Sequence, residues 1–386
     1  MKPRLSVIMP AHQAADLLPR SLAALTASTL PRNEWELIVV DDASSDDTSI
    51  VAAGYADTVV RLPSRSHGPA YARNRGFEAA RSDVVVFVDA DVCVHPETLE
   101  RFCDLFAARP DVAAVFGSYG TSTLHGTIVS EFRNLLHHHV HQRSAGEAET
   151  FWAGCGAVRS SVFRAVGMFD EWHYARPQIE DVELGRRLRL GGHRILLRPE
   201  IQCTHLKRWT LRTVMTTDLK HRGVPWTRLL LHEGPSAGRG ALNLRVSEKL
   251  CTVFAGGGWL AITVALLMRS AIPLLYLPVA IMLIAVLNRD FYRFVGRERG
   301  VRVAVAMLPL HVLYYGINVV ATLVGWWLHV MLGEPQAPLT AAAAVGMELR
   351  TWPPRPSPPA AGVWSRPRFR RSAAARRRAD VAAKGV

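Results

Sequence analysis

The chain has 386 residues, 49% of them hydrophobic, and carries 46 Lys and Arg against 33 Asp and Glu, a formal net charge of +13. That length excludes a disulfide-stapled miniprotein, and the five cysteines, odd in number, scattered and without a C-x-x-C pair, suggest neither a disulfide framework nor a zinc knuckle but free thiols in a reducing compartment. The charge does not describe a nucleic-acid groove, because residues 350–386 hold ten Lys and Arg and one acid, +9 of the total, and a basic tail beside apolar segments suits anionic lipid or membrane topology better.

The apolar run after the basic start Met1 to Arg4 stops at Pro10, short of a signal-peptide core, so the domain beginning there is expected to stay in the cytoplasm. From Leu5 to about Gly120, short apolar runs alternate with helix-like stretches. The runs Leu5 to Met9, Glu36 to Val40, Thr58 to Leu62, Val84 to Val88 and Val112 to Phe116 read as buried strands. Leu17 to Ala27, Asp46 to Ala53, Gly68 to Arg81 and Pro96 to Ala108 have helical spacing and starting signals. The alternation predicts an α/β fold: a Rossmann-like, mostly parallel sheet with helices on both faces. From about Thr121 to Arg228 the pattern loosens, as suits a second half that completes the sheet and builds a substrate pocket. Its Trp209, Arg212, Lys220, Arg222, Trp226 and Arg228 suit the lipid headgroup layer, or, for the two tryptophans, ordinary packing on the sheet domain.

The uncharged runs Cys251 to Met268 and Ala271 to Leu287, separated by Arg269 and Ser270, predict a tight membrane hairpin. The arginines from Arg289 to Arg302 place the following turn in the cytoplasm. A third run, Ala304 to Leu332, either breaks near Gly316 into two short re-entrant or interfacial pieces or crosses once and leaves the arginine tail outside. The expected organisation is a catalytic domain over 1–230, a membrane region of transmembrane or interfacial helices over 231–333, and a disordered Pro/Ala/Arg-rich tail over 334–386.

Three constellations carry chemistry. Asp89-Ala90-Asp91 ends the most apolar strand, at the edge where open parallel sheets bind ligands; two carboxylates there suit Mg²⁺ or Mn²⁺ shared with a diphosphate, or a solvated acidic turn. Asp41-Asp42-Ala43-Ser44 ends the second strand, and its residues divide between accepting hydrogen bonds from a base or ribose and capping the next helix. Gly68 to Gly76 opens a helix that carries Arg73 to the same edge, toward an anionic ligand or a surface salt bridge.

Taken in order, these pieces resemble the family 2 glycosyltransferases with the GT-A fold. The match runs through Ser6 to Pro10, Ile38 to Thr48, Gly68 to Gly76, Phe87 to Asp91, Gly154-Cys155-Gly156, Val166 to Asp170 and Glu180 to Leu188, and ends near His205. It covers about Leu5 to Arg228. The resemblance implies that Pro10, Asp42, Arg73 and Asp89 belong to the nucleotide site, with Asp42 on the base or ribose and Arg73 near the base. It implies that Asp91, alone or with Asp89, and His205 hold the metal, that Glu180-Asp181 is the acidic acceptor motif with the aspartate as base, and that Gly154, Cys155 and Gly156 form an acceptor loop.

Asp181 in a partly desolvated cleft also suits base catalysis on chemical grounds, although acids that open a helix, as Glu180 and Asp181 do here, equally complement its positive end. Lys207 and Arg208 beside His205 can neutralise a leaving diphosphate. The cluster His137, His138, His139 and His141 reads as a solvated helix face outside the site.

The expected function is therefore transfer of a sugar, with inversion, from a nucleotide-diphosphate donor to a lipid-linked or envelope-glycan acceptor. The expected place is the cytoplasmic face of the cell membrane, with Mg²⁺ or Mn²⁺ as cofactor, lipids as partner and no nucleic acid. The sequence lacks a Q-x-x-R-W motif after Asp181, which points away from processive polymer synthesis. Two rivals remain: a sugar-nucleotidyltransferase, whose glycine- and arginine-rich loop is absent from Pro10-Ala-His-Gln, and a non-catalytic membrane adaptor, against which the presence of Asp91 and Asp181 speaks.

Overall fold

The computed structural model describes residues 2–234 and 245–333; the basic tail expected over 334–386 lies outside the described residues. The N-terminal strands and helices follow the apolar runs: β1 (Leu5–Ala11), α1 (Leu18–Thr26), β2 (Trp35–Asp41), α2 (Thr48–Ala53), β3 (Thr58–Arg61), α3 (Pro69–Ala79) and β4 (Val84–Val88). β1, β2, β3 and β4 pair in parallel in the order β3-β2-β1-β4, and the residues of β2 and β4 are buried throughout, as strands covered on both faces must be.

Next come β5 (Val92–Val94), α4 (Thr98–Ala108), β6 (Val112–Tyr119), α5 (Ile128–Gln142), β7 (Gly146–Ala148), β8 (Cys155–Arg159), α6 (Ser160–Ala165), α7 (Glu180–Leu190) and β9 (Arg194–His205). β8 inserts between β4 and β6 and runs antiparallel to both, so the sheet is parallel in its first half and mixed in its second. β9 pairs in parallel with β6 on one edge and antiparallel with β7 and β5 on the other. The short strands β5 and β7 exist because the length of β9 offers them an edge.

One continuous helical rod follows: α8 (Leu211–Thr216), a π-helical segment (Thr217–Gly223) and α9 (Val224–Glu233). The apolar helices are α10 (Val246–Met268), α11 (Tyr276–Leu287), α12 (Arg289–Arg299), α13 (Val301–Ala306) and α14 (Leu308–Leu332). α10 and α11 form the expected hairpin, turning at Arg269, whose φ of 49° is left-handed. Of the two readings of the third run, the break near Gly316 does not occur: Gly316 lies inside α14, where the Trp259 indole packs against it. By length and composition Val246–Met268 and Val301–Leu332 can cross a membrane, and Ile272–Leu287 continues into α12 across a 71° bend. Val253, Leu260 and Leu266 of α10 and Leu323, Trp327 and Met331 of α14 stay exposed.

α12 is amphipathic. Phe291 and Val295 bury against Phe132 and Leu135 of α5, while Arg289 and Arg293 are solvent-facing. Inside the helical bundle the hydroxyl of buried Tyr315 donates to the half-buried Glu248 carboxylate at 2.9 Å and Asn288 side-chain oxygen at 3.1 Å, so it is partnered.

Candidate active site

The register of β5 on β9 sets Val92 opposite His205, and this brings together two residues 114 positions apart: His205 Nε2 is 3.2 Å from Asp91 Oδ2. The Leu206 N–H donates to the Asp91 carbonyl at 2.8 Å and fixes the strand ends. The His205 ring stacks on Tyr119, with centroids 4.8 Å apart and planes 11° apart. Burial would lift the Asp91 carboxyl, but His205 and the Lys207 charge outweigh it and hold the group below its ordinary range. Lys207 is exposed with Nζ 4.5 Å from the centre of the Trp209 ring, and Arg208 is exposed beside it. Trp209 itself is buried, so it packs within the protein and not at a headgroup layer.

Arg73 does not present its guanidinium to an open nucleotide edge. It is buried and bonds Asp89 at 2.7 Å and Glu180 at 3.0 Å. Asp89 and Glu180 thus share one guanidinium, and Glu180 also accepts from the Gln178 N–H at 2.9 Å. Asp42 is likewise committed: its carboxylate accepts from the Ser66 hydroxyl at 2.7 Å and from the N–H groups of His67 and Gly68 at 2.8 Å each. Asp42 therefore shapes the loop that leads into α3, while Asp41 braces the turn after β2, accepting from the Ser44 N–H at 2.9 Å and from the Ser49 hydroxyl, and Asp46 accepts from the Thr48 N–H at 3.1 Å where α2 begins. Pro10 lies at the carboxyl end of β1, level with Val40.

Asp181 sits in the first turn of α7, half-buried, with Oδ2 accepting from the Ala153 N–H at 3.2 Å and Oδ1 from the Val182 N–H at 2.8 Å. Burial first, and the Glu180 charge second, push its carboxyl up to about 6, against the opposing pull of Arg73 and Arg222. A carboxylate poised there suits proton abstraction near neutral pH. The loop before β8 joins the two halves of the site, since the Asp89 N–H donates to the Gly154 carbonyl at 3.3 Å while the neighbouring Ala153 holds Asp181. Gly154 is required by the Trp152 indole, which would lie 2.6 Å from any Cβ there. Cys155 and Gly156 belong to β8 and are buried inside the sheet, so of the expected acceptor loop only Gly154 lies outside a strand.

Gly185 lets α7 approach this loop: a Cβ would stand 2.2 Å from the Phe151 nitrogen, backbone that cannot swing aside. Gly185→Ala is expected to cost roughly 1–3 kcal/mol of stability through overpacking and to lower kcat by displacing the turn that carries Asp181. Urea unfolding and steady-state kinetics on the same preparation check both.

The histidine face of α5 is not solvated. His138 and His141 are buried and reach the Tyr119 carbonyl at 2.7 Å and the Gly117 carbonyl at 3.0 Å, and burial holds His141 down to about 4. His137 packs at 4.3 Å from Tyr119 and 4.9 Å from Trp152. These rings form the wall behind His205. The sequence reading passed over Tyr119 and Trp152; the aromatic pair Phe151-Trp152 ahead of Gly154 was the available signal for the second.

Among the described residues no three His, Cys, Asp or Glu side chains converge into a closed metal cage. The Asp91–His205 pair supplies one oxygen and one nitrogen donor on an open side of the cleft, a set that fits a divalent cation whose remaining positions are taken by diphosphate oxygens and water.

Residues 6–167 match the model of the family described as Glycosyl transferase family 2. This stretch of the chain belongs to that family. Among curated relatives, Glycosyltransferase AglE of Haloferax volcanii is 32% identical over 103 residues, 26% of this chain and 34% of that protein. The undecaprenyl-phosphate 4-deoxy-4-formamido-L-arabinose transferase of Pseudomonas fluorescens is 31% identical over 156 residues, 39% of this chain and 44% of that protein. The chain thus spans about a third to under half the length of these relatives. Among solved structures, the mannosyltransferase PcManGT from Pyrobaculum calidifontis, in complex with GDP-Man and Mn²⁺, superposes with a TM-score of 0.53 at 17% identity, covering 86% of this chain and 89% of that one. The likeness establishes a GT-A fold, a mixed sheet with helices, followed here by the apolar helices.

Proposed function

We propose that this family 2 glycosyltransferase moves a sugar, with inversion, from a nucleotide-diphosphate donor to a lipid-linked or envelope-glycan acceptor at the cytoplasmic face of a membrane. The catalytic domain is residues 1–230 and the membrane region 231–333. The observation that carries the reading is the placement of Asp181, its carboxyl pushed up to about 6, at the start of α7 against the loop that also contacts the strand end bearing Asp89 and Asp91.

In one in-line displacement the acceptor oxygen bonds to the anomeric carbon and the carbon–oxygen bond to the diphosphate breaks with its electron pair staying on the phosphate; Asp181 takes the proton of a hydroxyl acceptor, whereas a phosphate acceptor is already ionised and needs no base. Asp91 and His205 would hold Mg²⁺ or Mn²⁺, which when bound supplies charge neutralisation at the diphosphate. Lys207, set over Trp209, and Arg208 add fixed or nearby positive charge on the same side. Asp42 orders the loop ahead of α3 against which a nucleotide would rest, and the Arg73 pairs keep the floor of the cleft rigid. A lipid-linked acceptor is supported by the apolar helices, and by a relative whose name carries undecaprenyl phosphate.

The test is nucleotide release by detergent-solubilised protein across a panel of UDP- and GDP-sugars with Mn²⁺ or Mg²⁺. Release from one donor is expected, abolished by chelation and lowered at least about 10²-fold by Asp91→Asn. Folded wild-type protein that neither binds nor turns over any nucleotide sugar sinks the reading.

A further inference from the structure

The rod formed by α8, the π-helical segment and α9 is clamped on two sides. Toward the catalytic domain, buried Asp218 pairs with Arg133 of α5 at 3.0 Å. The Arg133 guanidinium lies 5.3 Å from the Trp209 ring, which also carries Lys207 at 4.5 Å and stands 6.1 Å from His205. Toward the apolar helices, Gly223 sits so close to α14 that a Cβ would be 2.5 Å from the Ala321 methyl, and Gly325 of α14 meets Thr227 of α9 with equal intimacy, 2.7 Å. The rod is thus wedged between the diphosphate side of the cleft and a candidate membrane-crossing helix. π-helical turns inside α-helices concentrate at functional sites.

Arg222 is the residue this wedge presents. It is exposed, and among the described residues it makes no hydrogen bond or ion pair. It stands about one helical turn beyond Asp218, whose partner Arg133 lies against the same Trp209 ring as Lys207, so the rod carries it on that side of the cleft. A guanidinium held near a lysine by a rigid support is repelled by it until an anion lies between them, and the planar fork of arginine matches phosphate oxygens.

We propose that Arg222 is a phosphate-binding residue of this active site, delivered by the π-helical segment seated on α14 and taking phosphate oxygens in the cleft between Asp181 and Lys207. The inference rests on the glycosyltransferase reading for its biological meaning, not for its chemistry. Phosphate reaches that cleft from two sources, the leaving nucleoside diphosphate and the head of a phosphorylated lipid acceptor, and the seating on α14 makes the second accessible from a bilayer.

The experiment uses the full chain in nanodiscs, comparing wild type, Arg222→Gln, Arg222→Lys and a control on the exposed face of α8, Arg212→Gln. Binding of UDP, GDP and inorganic pyrophosphate is measured by calorimetry, and KM is measured for undecaprenyl phosphate. Arg222→Gln is expected to weaken at least one of these by about tenfold or more, with Arg222→Lys intermediate and Arg212→Gln like wild type. A raised KM for undecaprenyl phosphate with nucleotide affinity unchanged assigns Arg222 to the acceptor phosphate. Weaker UDP, GDP or pyrophosphate binding assigns it to the leaving diphosphate. Pyrophosphate binding that depends on Arg222 in a protein that turns over no nucleotide sugar keeps the phosphate site while the glycosyltransferase reading fails. Equal behaviour of wild type and Arg222→Gln on all four probes overturns the proposal.

Discussion

With a hydroxyl acceptor, Asp181→Asn is expected to lower kcat by about 10²- to 10⁴-fold, the range spanned by a positioned general base, while the affinity for nucleotide sugar stays near wild type. Because the carboxyl is pushed up to about 6 by burial and Glu180, wild-type kcat should fall as pH drops through about 6, where the base takes up its proton. The residual rate of the variant should lack that limb. The same shift has an opposite signature in stability. A carboxyl whose folded pKa lies above its unfolded one contributes proton-linked stability that is full below the ordinary aspartate value and lost as pH rises to about 6. At pH 7 the ionised group is a burden on the fold, and Asp181→Asn should melt higher than wild type while being nearly inactive. Differential scanning calorimetry at pH 5 and pH 7 separates the cases. A variant that loses activity and also melts lower at pH 7 would assign Asp181 a structural role.

Arg73→Met is expected to be among the most damaging single changes in the catalytic domain, costing about 3 kcal/mol or more, because it leaves buried Glu180 and half-buried Asp89 without their shared counter-charge. Asp89 and Glu180 both lean on that guanidinium, at 2.7 and 3.0 Å, and burial already lifts the Asp89 carboxyl in its presence. Acid should partly relieve the variant as the stranded carboxyls protonate, and Arg73→Met with Glu180→Gln should recover part of the loss, since it removes one of the unpaired charges. Guanidinium unfolding at pH 5 and pH 8 reads both effects. An Arg73→Met protein as stable as wild type would show the ion pairs to be dispensable.

How much of this was legible depended on the range of the interaction. β4, Val84–Val88, was bounded to the residue because five apolar side chains in a row need cover on both faces, and α7 was bounded at both ends by its opening acids and the glycines after Leu190. β8, Cys155–Arg159, was not foreseen as a strand, since Cys, Gly and Ala carry little strand preference and the segment is placed by its antiparallel partners β4 and β6. β9 is interrupted by charge and by Pro199, and only its pairing on both edges holds it extended.

For the site, the D-x-D position at a strand end followed from the fold class, and the partners of its carboxylates did not. Asp89 meets an arginine from α3 and Asp91 a histidine from β9, choices made by the register of distant elements. The histidine face of α5 was read as solvated for the same reason. Its covering layer comes from Tyr119, Trp152 and Phe294, none of which is close in sequence.

The length of α14 has a mechanical consequence. At 1.5 Å per residue its 25 residues extend about 38 Å, longer than the roughly 30 Å hydrocarbon layer of an average bilayer, so in such a bilayer the helix leans to fit. Ala321 and Gly325, well along that helix, are the points on which Gly223 and Thr227 rest. Were α14 to cross a bilayer, a lean that changes with lipid chain length would reach the rod through those two contacts, and bilayer thickness would become a mechanical input to the cleft.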